Sequence, residues 1–177
     1  ESKTFADSNC GGFFGARLKN AGFDNLIIKG KASCPIYLYI ENKSIEIRDA
    51  SQYWGLTNNK TREEFSKLGD VDVATIGPAG ENLVRYASVM TGVKSAAGRG
   101  GLGSVMGSKN LKAVVVGGQF VKGYSESAQE FFSIVLSSGA SKALREYGTP
   151  FLYRVSNELG AIRTRGGQLN QFSENLN

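Results

Sequence analysis

The sequence predicts an α+β fold: an internally duplicated sheet-plus-helix platform over residues 1–122, followed from residue 123 by the first helices of an all-α domain. Three observations carry this reading. A glycine loop, a short helix, an apolar strand and a closing glycine occur in that order twice, at Gly12 to Gly30 and at Gly100 to Gly117. Between and around them lie short β-branched runs bounded by turn residues. Beyond residue 124 the apolar spacing changes to that of helices. The second glycine segment begins 88 residues after the first, which is consistent with duplication as well as with ordinary strand–loop–helix punctuation.

In chain order, Phe14, Leu18 and Ala21 recur at helical spacing, and Gly22 is placed to end that helix. Asn25 to Lys29 reads as an apolar strand closed by Gly30. Pro35 to Ile40 and Ser44 to Asp49 read as a hairpin turning at Glu41-Asn42-Lys43, with Ile45 and Ile47 inward. Tyr53-Trp54-Gly55 is a turn, and Thr61 to Leu68 a helix opened by a Thr61–Glu64 capping box. Val71 to Ile76 is a strand ending at the turn Gly77 to Asn82, where Glu81 and Asn82 either cap the turn or reach a site. Leu83 to Met90 leans to strand on its β-branched residues. A short helix at 104–109 leads into the strand Lys112 to Gly118. Ser127 to Ser137, capped by Ser125 or Ser127, is an amphipathic helix, and Ser141 to Glu146 and Thr149 to Leu159 are further helices.

Composition bounds the function. The chain of 177 residues is 41% hydrophobic and 21% charged, so it can bury a core. Its net charge of +5 is spread among acids and bases, without the basic stripe that nucleic acid demands. With no histidine, no C-x-x-C pair and only Cys10 and Cys34, a closed zinc or iron–sulfur site within the chain is excluded, and nothing activates Cys10 as a nucleophile. Both cysteines read as reduced, cytoplasmic thiols. There is no apolar run long enough for a membrane span and no signal-peptide core. The chain starts without Met in a polar segment, as a fragment would.

The densest chemistry lies at residues 96–112, with glycines at 98, 100, 101, 103 and 107 and the cations Arg99, Lys109 and Lys112. Glycine backbone can approach a ligand closely, and its N–H groups, with a helix start behind, suit an anion such as phosphate. The Walker pattern is not met, and a dinucleotide fingerprint lacks its acidic residue downstream, which disfavours a NAD-type half-domain. A structural glycine turn remains open. At Asn9-Cys10-Gly11-Gly12 the Asn9 amide either binds a hard cation or caps the following helix, and the two readings use the same residues.

Three ordered segments, Asn9 to Asp24, Ile76 to Asn82 and Ala96 to Ala113, resemble the signatures of the tungsten-containing aldehyde ferredoxin oxidoreductase family. The resemblance covers most of residues 5–118 and continues more weakly at Tyr147-Gly148-Thr149 and Arg163 to Leu169. It implies a parent enzyme that oxidises aldehydes to carboxylic acids at a tungsten (or molybdenum) bis-pterin centre and passes electrons through an iron–sulfur cluster to ferredoxin. It further implies that the duplicated domain is the platform for the pterin, with magnesium bridging its phosphates. Carried onto matching positions, Asn9 by side chain and Ala96 by carbonyl would hold magnesium, and Gly11, Gly98 and Arg99 would contact pterin or phosphate. Ser95 stands where the family commonly has arginine, and Cys10 where serine or alanine is usual. On this reading about 80 N-terminal residues of the family lie outside the chain, as do the iron–sulfur cysteines, so the chain alone would be inactive. A homo-oligomer is compatible with it. The alternative is a non-catalytic module that binds a phosphorylated small molecule or a partner subunit.

Overall fold

The computed structural model describes residues 5–118, 125–164 and 168–170, which fall into two compact units, 1–121 and 122–177. The sequence-based boundary at residues 119–124 lies outside the described residues.

The first unit is built on a six-stranded mixed sheet of order β2-β1-β6-β3-β4-β5. β1 (Ile36–Glu41) and β2 (Ser44–Asp49) form the expected hairpin, pairing Ile36 with Asp49 through Glu41 with Ser44. Asn42 and Lys43, with φ of 49° and 62°, form the two-residue turn whose twist matches the strands. β6 (Leu111–Val116) is buried at all six positions and lies between β1, which is parallel to it, and β3 (Asp72–Thr75), which is antiparallel. The parallel register slips between Ile36 and Tyr37, which face Leu111 and Ala113, so Lys112 is the extra residue of a bulge. β4 (Val89–Met90) and β5 (Ala96–Ala97) are two-residue strands at the other edge.

Alternation on β6 feeds two cores. Leu111, Val114 and Val116 join Leu38, Ile40, Ala74 and Ile76 beneath helix α1 (Phe14–Asn20) and Leu102 and Met106 of helix α4 (Leu102–Ser108). Ala113 and Val115 join Tyr37, Val73 and Phe65 of helix α2 (Asn58–Ser66) on the opposite face. There the rings of Tyr37, Tyr53 and Phe65 pack at 4.6–6.0 Å between centroids. Helix α1 ends in a Schellman motif: Gly22, at φ 96°, donates to Lys19 O and Phe23 N donates to Leu18 O.

Several elements differ from expectation. Residues 25–29 are not a strand and pair with neither open edge of the sheet, β2 or β5. The segment instead crosses the α1-side core with Leu26 and Ile28 half-buried and Ile27 79% exposed. The second strand of the hairpin lies at the sheet edge, so Ile45 and Ile47 are exposed rather than inward. Helix α2 starts three residues early, where Thr57 Oγ1 accepts from Lys60 N, and Thr61 is buried inside the helix, so the capping box does not form. The turn at Gly77 closes one helical turn, α3 (Pro78–Glu81). Of Leu83 to Met90 only the last two residues are strand, because the chain reverses at Leu83, whose φ is 58°.

In the second unit, Ser125 caps helix α5 (Glu126–Ser137), accepting from Ala128 N, and Ser138 caps α6 (Gly139–Tyr147). The last expected helix is instead a 3-10 turn, Thr149–Leu152, with Pro150 near its start, followed by α7 (Tyr153–Glu158). No residue of α5 or α6 is buried, so the apolar stripe of α5 lies open within this unit. No helix among the described residues is long and apolar enough to cross a membrane.

Candidate functional site

The two glycine segments meet. Thr91 Oγ1 donates to Gly11 O at 3.1 Å, and Arg99 N donates to Ser8 Oγ at 3.1 Å. The Ser95 side chain lies beneath the glycines of the first segment, 3.5 Å from where a Cβ on Gly11 would stand. Together they border an open cavity of about 540 Å³ lined by Asp7, Ser8, Asn9, Ala96, Gly98 and Arg99.

Four of the five sequence-derived site residues, Asn9, Ala96, Gly98 and Arg99, therefore line one cavity. Gly11 does not line it and takes part through its bond to Thr91. Sequence reasoning passed over Asp7 and Ser8, whose only signal was their place in the polar run before Asn9.

The structure removes one of the two readings of Asn9. Helix α1 begins at Phe14, its N-cap is Phe13, and no side chain caps it. Asn9 lies four residues before that cap, so the capping role is removed and the amide stays on the exposed cavity wall.

Four of the five glycines of 96–107 divide into two groups. Gly98 lines the cavity, and a Cβ there would meet nothing within 4 Å. Gly101, Gly103 and Gly107 serve packing: a Cβ would come within 2.1 Å of Arg85 O, 2.6 Å of Ser88 O and 1.9 Å of Gly80 O, respectively. Gly101 also has φ 65°, a left-handed conformation that L side chains adopt at a cost. Helix α4 is seven residues long, too short to supply an anion seat at its N-terminus. Loop N–H groups and Arg99 are then the groups that can face an anion.

The roles of Lys112, Glu81 and Lys109 differ from expectation. Lys112 does not face the cavity. Its side chain is 0% exposed, paired with Glu81 at 4%, and it donates to Leu56 O at 2.8 Å. Burial, against the pull of Glu81, holds its pKa below 10.5. Glu81 is accordingly neither a turn cap nor a site residue. Lys109 donates to Gly30 O at 3.0 Å. Arg99 is thus the one cation among the cavity-lining residues.

The donor set fits a hard cation shared with an oxyanion. Magnesium takes oxygen ligands and retains waters, accepting one or two from protein and the others from phosphates. Here Asn9, which carries an amide oxygen, and Ala96, which carries a backbone carbonyl, line the same cavity as Arg99. Among the described residues no three of Cys, Asp and Glu come together as a metal cluster, so a metal held here would draw on the ligand's own oxygens.

A sequence profile described as "Aldehyde ferredoxin oxidoreductase, N-terminal domain" matches residues 1–118. The chain belongs to the aldehyde ferredoxin oxidoreductase family. The tungsten-containing aldehyde ferredoxin oxidoreductase of Pyrococcus abyssi is 45% identical over 94% of this chain, and that of Pyrococcus horikoshii 44% over the same share. An aliphatic sulfonate oxidoreductase, WOR-like subunit, of Pyrococcus furiosus is 45% identical over 59% of the chain. Among solved structures, the active-site complex BamBC of benzoyl coenzyme A reductase with 1,5-dienoyl-CoA is similar at TM-score 0.61 and 50% identity, over 63% of this chain and 18% of that one. The chain spans 29% of the length of the two aldehyde ferredoxin oxidoreductases. The cavity lies within the span that the family profile matches.

Proposed function

We propose that residues 1–118 form the cofactor platform of a tungsten (or molybdenum) pterin oxidoreductase, and that the cavity between the two glycine segments seats the cofactor's phosphates with magnesium. The observation that carries this reading is the convergence of Asn9, Ala96, Gly98 and Arg99 on one open cavity. Asn9 and Ala96 supply oxygens to the cation, Arg99 offsets phosphate charge, and the absence of a side chain on Gly98 leaves room for close approach. Gly11 fixes the first loop to the second. When bound, the tungsten centre supplies two-electron redox chemistry, and these residues bind and orient it.

For the whole protein we assign oxidation of aldehydes to carboxylic acids, with electrons leaving through an iron–sulfur cluster to ferredoxin in the cytoplasm. Identity of 45% over 94% of the chain to an enzyme of that name supports the assignment. Similarity over 59% and 63% of this chain to relatives named for a sulfonate and for benzoyl coenzyme A supports a common platform whose substrate is chosen by groups elsewhere. The terms "subunit" and "complex" in those names support a partner subunit as a second reading of the quaternary state.

The test is metal and pterin analysis of the protein as its host makes it, with tungstate and molybdate both supplied. The expected result is stoichiometric tungsten or molybdenum with pterin, and magnesium in proportion. Asn9→Ala and Arg99→Ala should each lower retained pterin about tenfold, as expected for removing one charged or metal-mediated contact. Protein free of both metals and of pterin, or variants that retain both in full, would overturn the assignment.

A further inference from the structure

We propose that Glu81 and Lys112 are positioning residues: a buried strut that sets the place of the loop entering helix α4, and with it Gly98 and Arg99. The proposal rests on the reading of that loop as a cofactor seat.

The strut begins at the bulge in β6. The slipped register leaves Lys112 without a partner on β1, while its carbonyl still accepts from Ile76 N and Thr75 Oγ1. Bulges re-aim side chains, and this one directs an ammonium into the interior. There Lys112 Nζ donates to Leu56 O at 2.8 Å and to Glu81 Oε1, while Glu81 Oε2 accepts from Gly55 N at 2.8 Å. Glu81 therefore bonds both the central strand and the 55–56 turn.

Glu81 is the last residue of α3, a single turn of four residues that has little stability of its own. From α3 onward the contacts are backbone against backbone. Gly80 O lies where a Cβ of Gly107 would stand, Gly103 N donates to Ala87 O at 2.9 Å, and Arg85 O lies 2.1 Å from where a Cβ of Gly101 would be. Such contacts leave no flexible side chain to absorb a shift. A displacement of α3 passes directly to Gly101 and so to Arg99, two residues before it.

An apolar pair would pack the same space at equal or better stability, because desolvation offsets most of the attraction between buried charges. What the ion pair adds is direction. Glu81 has one placement that satisfies both of its oxygens, and Lys112 one that satisfies both of its acceptors.

The test uses the full chain and compares the wild type with Lys112→Met/Glu81→Leu and with Glu81→Gln. Glu81→Gln keeps shape but cannot accept from both Gly55 N and Lys112, and it guards against failure of the double variant to fold. Global stability comes from denaturant titration, and loop placement from amide exchange across residues 98–104, referenced to β1. The expected result is exchange across 98–104 faster by about tenfold or more, at unchanged protection of β1 and near-wild-type global stability in the double variant. Release of bound pterin should accelerate in parallel. Exchange across 98–104 that follows β1 in both variants would overturn the strut. Wild-type protein that carries no pterin would overturn the cofactor reading and leave the exchange comparison to decide the strut by itself.

Discussion

Replacing Gly107 by alanine tests the backbone contact between α3 and α4 directly. The new Cβ would stand 1.9 Å from Gly80 O and 2.7 Å from Gly80 C. An ordinary carbon–oxygen contact is about 3.3 Å, so the two helices must part by about an ångström or more. Overpacking of this kind costs about 1–3 kcal/mol, and the better helix propensity of alanine returns at most about 1 kcal/mol. With the full return the net loss is about 0–2 kcal/mol, a fall in Tm of up to roughly 8 °C for a chain of this size. Gly15→Ala is the matched control. It lies in the other seven-residue helix, α1, and a Cβ there meets nothing within 4 Å. Its propensity gain should stand alone, at about 0.5 kcal/mol in the stabilising direction. Thermal and urea unfolding of the two variants beside wild type give the comparison. If Gly107→Ala is as stable as Gly15→Ala, α3 and α4 are not held at backbone distance, and the chain of contacts from Glu81 to Arg99 has no basis.

Arg17 offers a second check on the supports of the site. Its guanidinium, 3% exposed, donates to Asp72 Oδ2, Asp70 Oδ1, Asp70 O and Gly118 O at 2.7–2.9 Å, tying α1 to the start of β3. Arg17→Met should cost about 2–3 kcal/mol in urea unfolding, and Arg17→Lys should recover only part, since an ammonium lacks the planar fork. A loss below about 0.5 kcal/mol would show that the four bonds are not needed. Tyr39 gives a pH signature: burial first, then the Glu41 carboxylate, raises its phenol above the ordinary 10.0. A raised folded-state value means that its contribution to stability is intact below about pH 10 and is lost as pH rises through the folded value. Absorbance titration at alkaline pH should show a late phenolate component that Tyr39→Phe removes, and a component at or below the ordinary tyrosine value would contradict the burial.

The fold was legible wherever a pattern was local. The hairpin at 36–49 was readable from β-branched runs flanking a polar turn, and the buried strand 111–116 from the apolar run 113–116, although the sequence set its bounds at Lys112 and Gly118. The Schellman end of α1 was readable from Gly22. Residues 25–29 misled because an apolar run can also be half-buried without strand pairing, as Leu26 and Ile28 are against the α1-side core. Thr61–Glu64 misled because a capping box matches a helix start by residue type alone, and Thr57 reaches Lys60 N first. Among the site residues, Asn9 and Arg99 could be singled out from the motifs that contain them. Asp7 and Ser8 could not, because nothing in a polar run marks which members face a cavity formed 90 residues further on.

The sequence by itself determined the fold class, the family, and that residues 9–15 and 96–107 are unusual stretches of backbone, since glycine spacing and apolar period are properties of neighbouring residues. The tertiary structure decided what each glycine and each charge is for. Gly98 opens to a cavity while Gly101, Gly103 and Gly107 admit another backbone, and only distances between remote segments separate those uses. Lys112, indistinguishable in the chain from a cation for an anion site, is turned inward by a one-residue slip against β1 and pairs with Glu81, 31 residues away. Pairing register is a relation between strands, and no single stretch of sequence contains it.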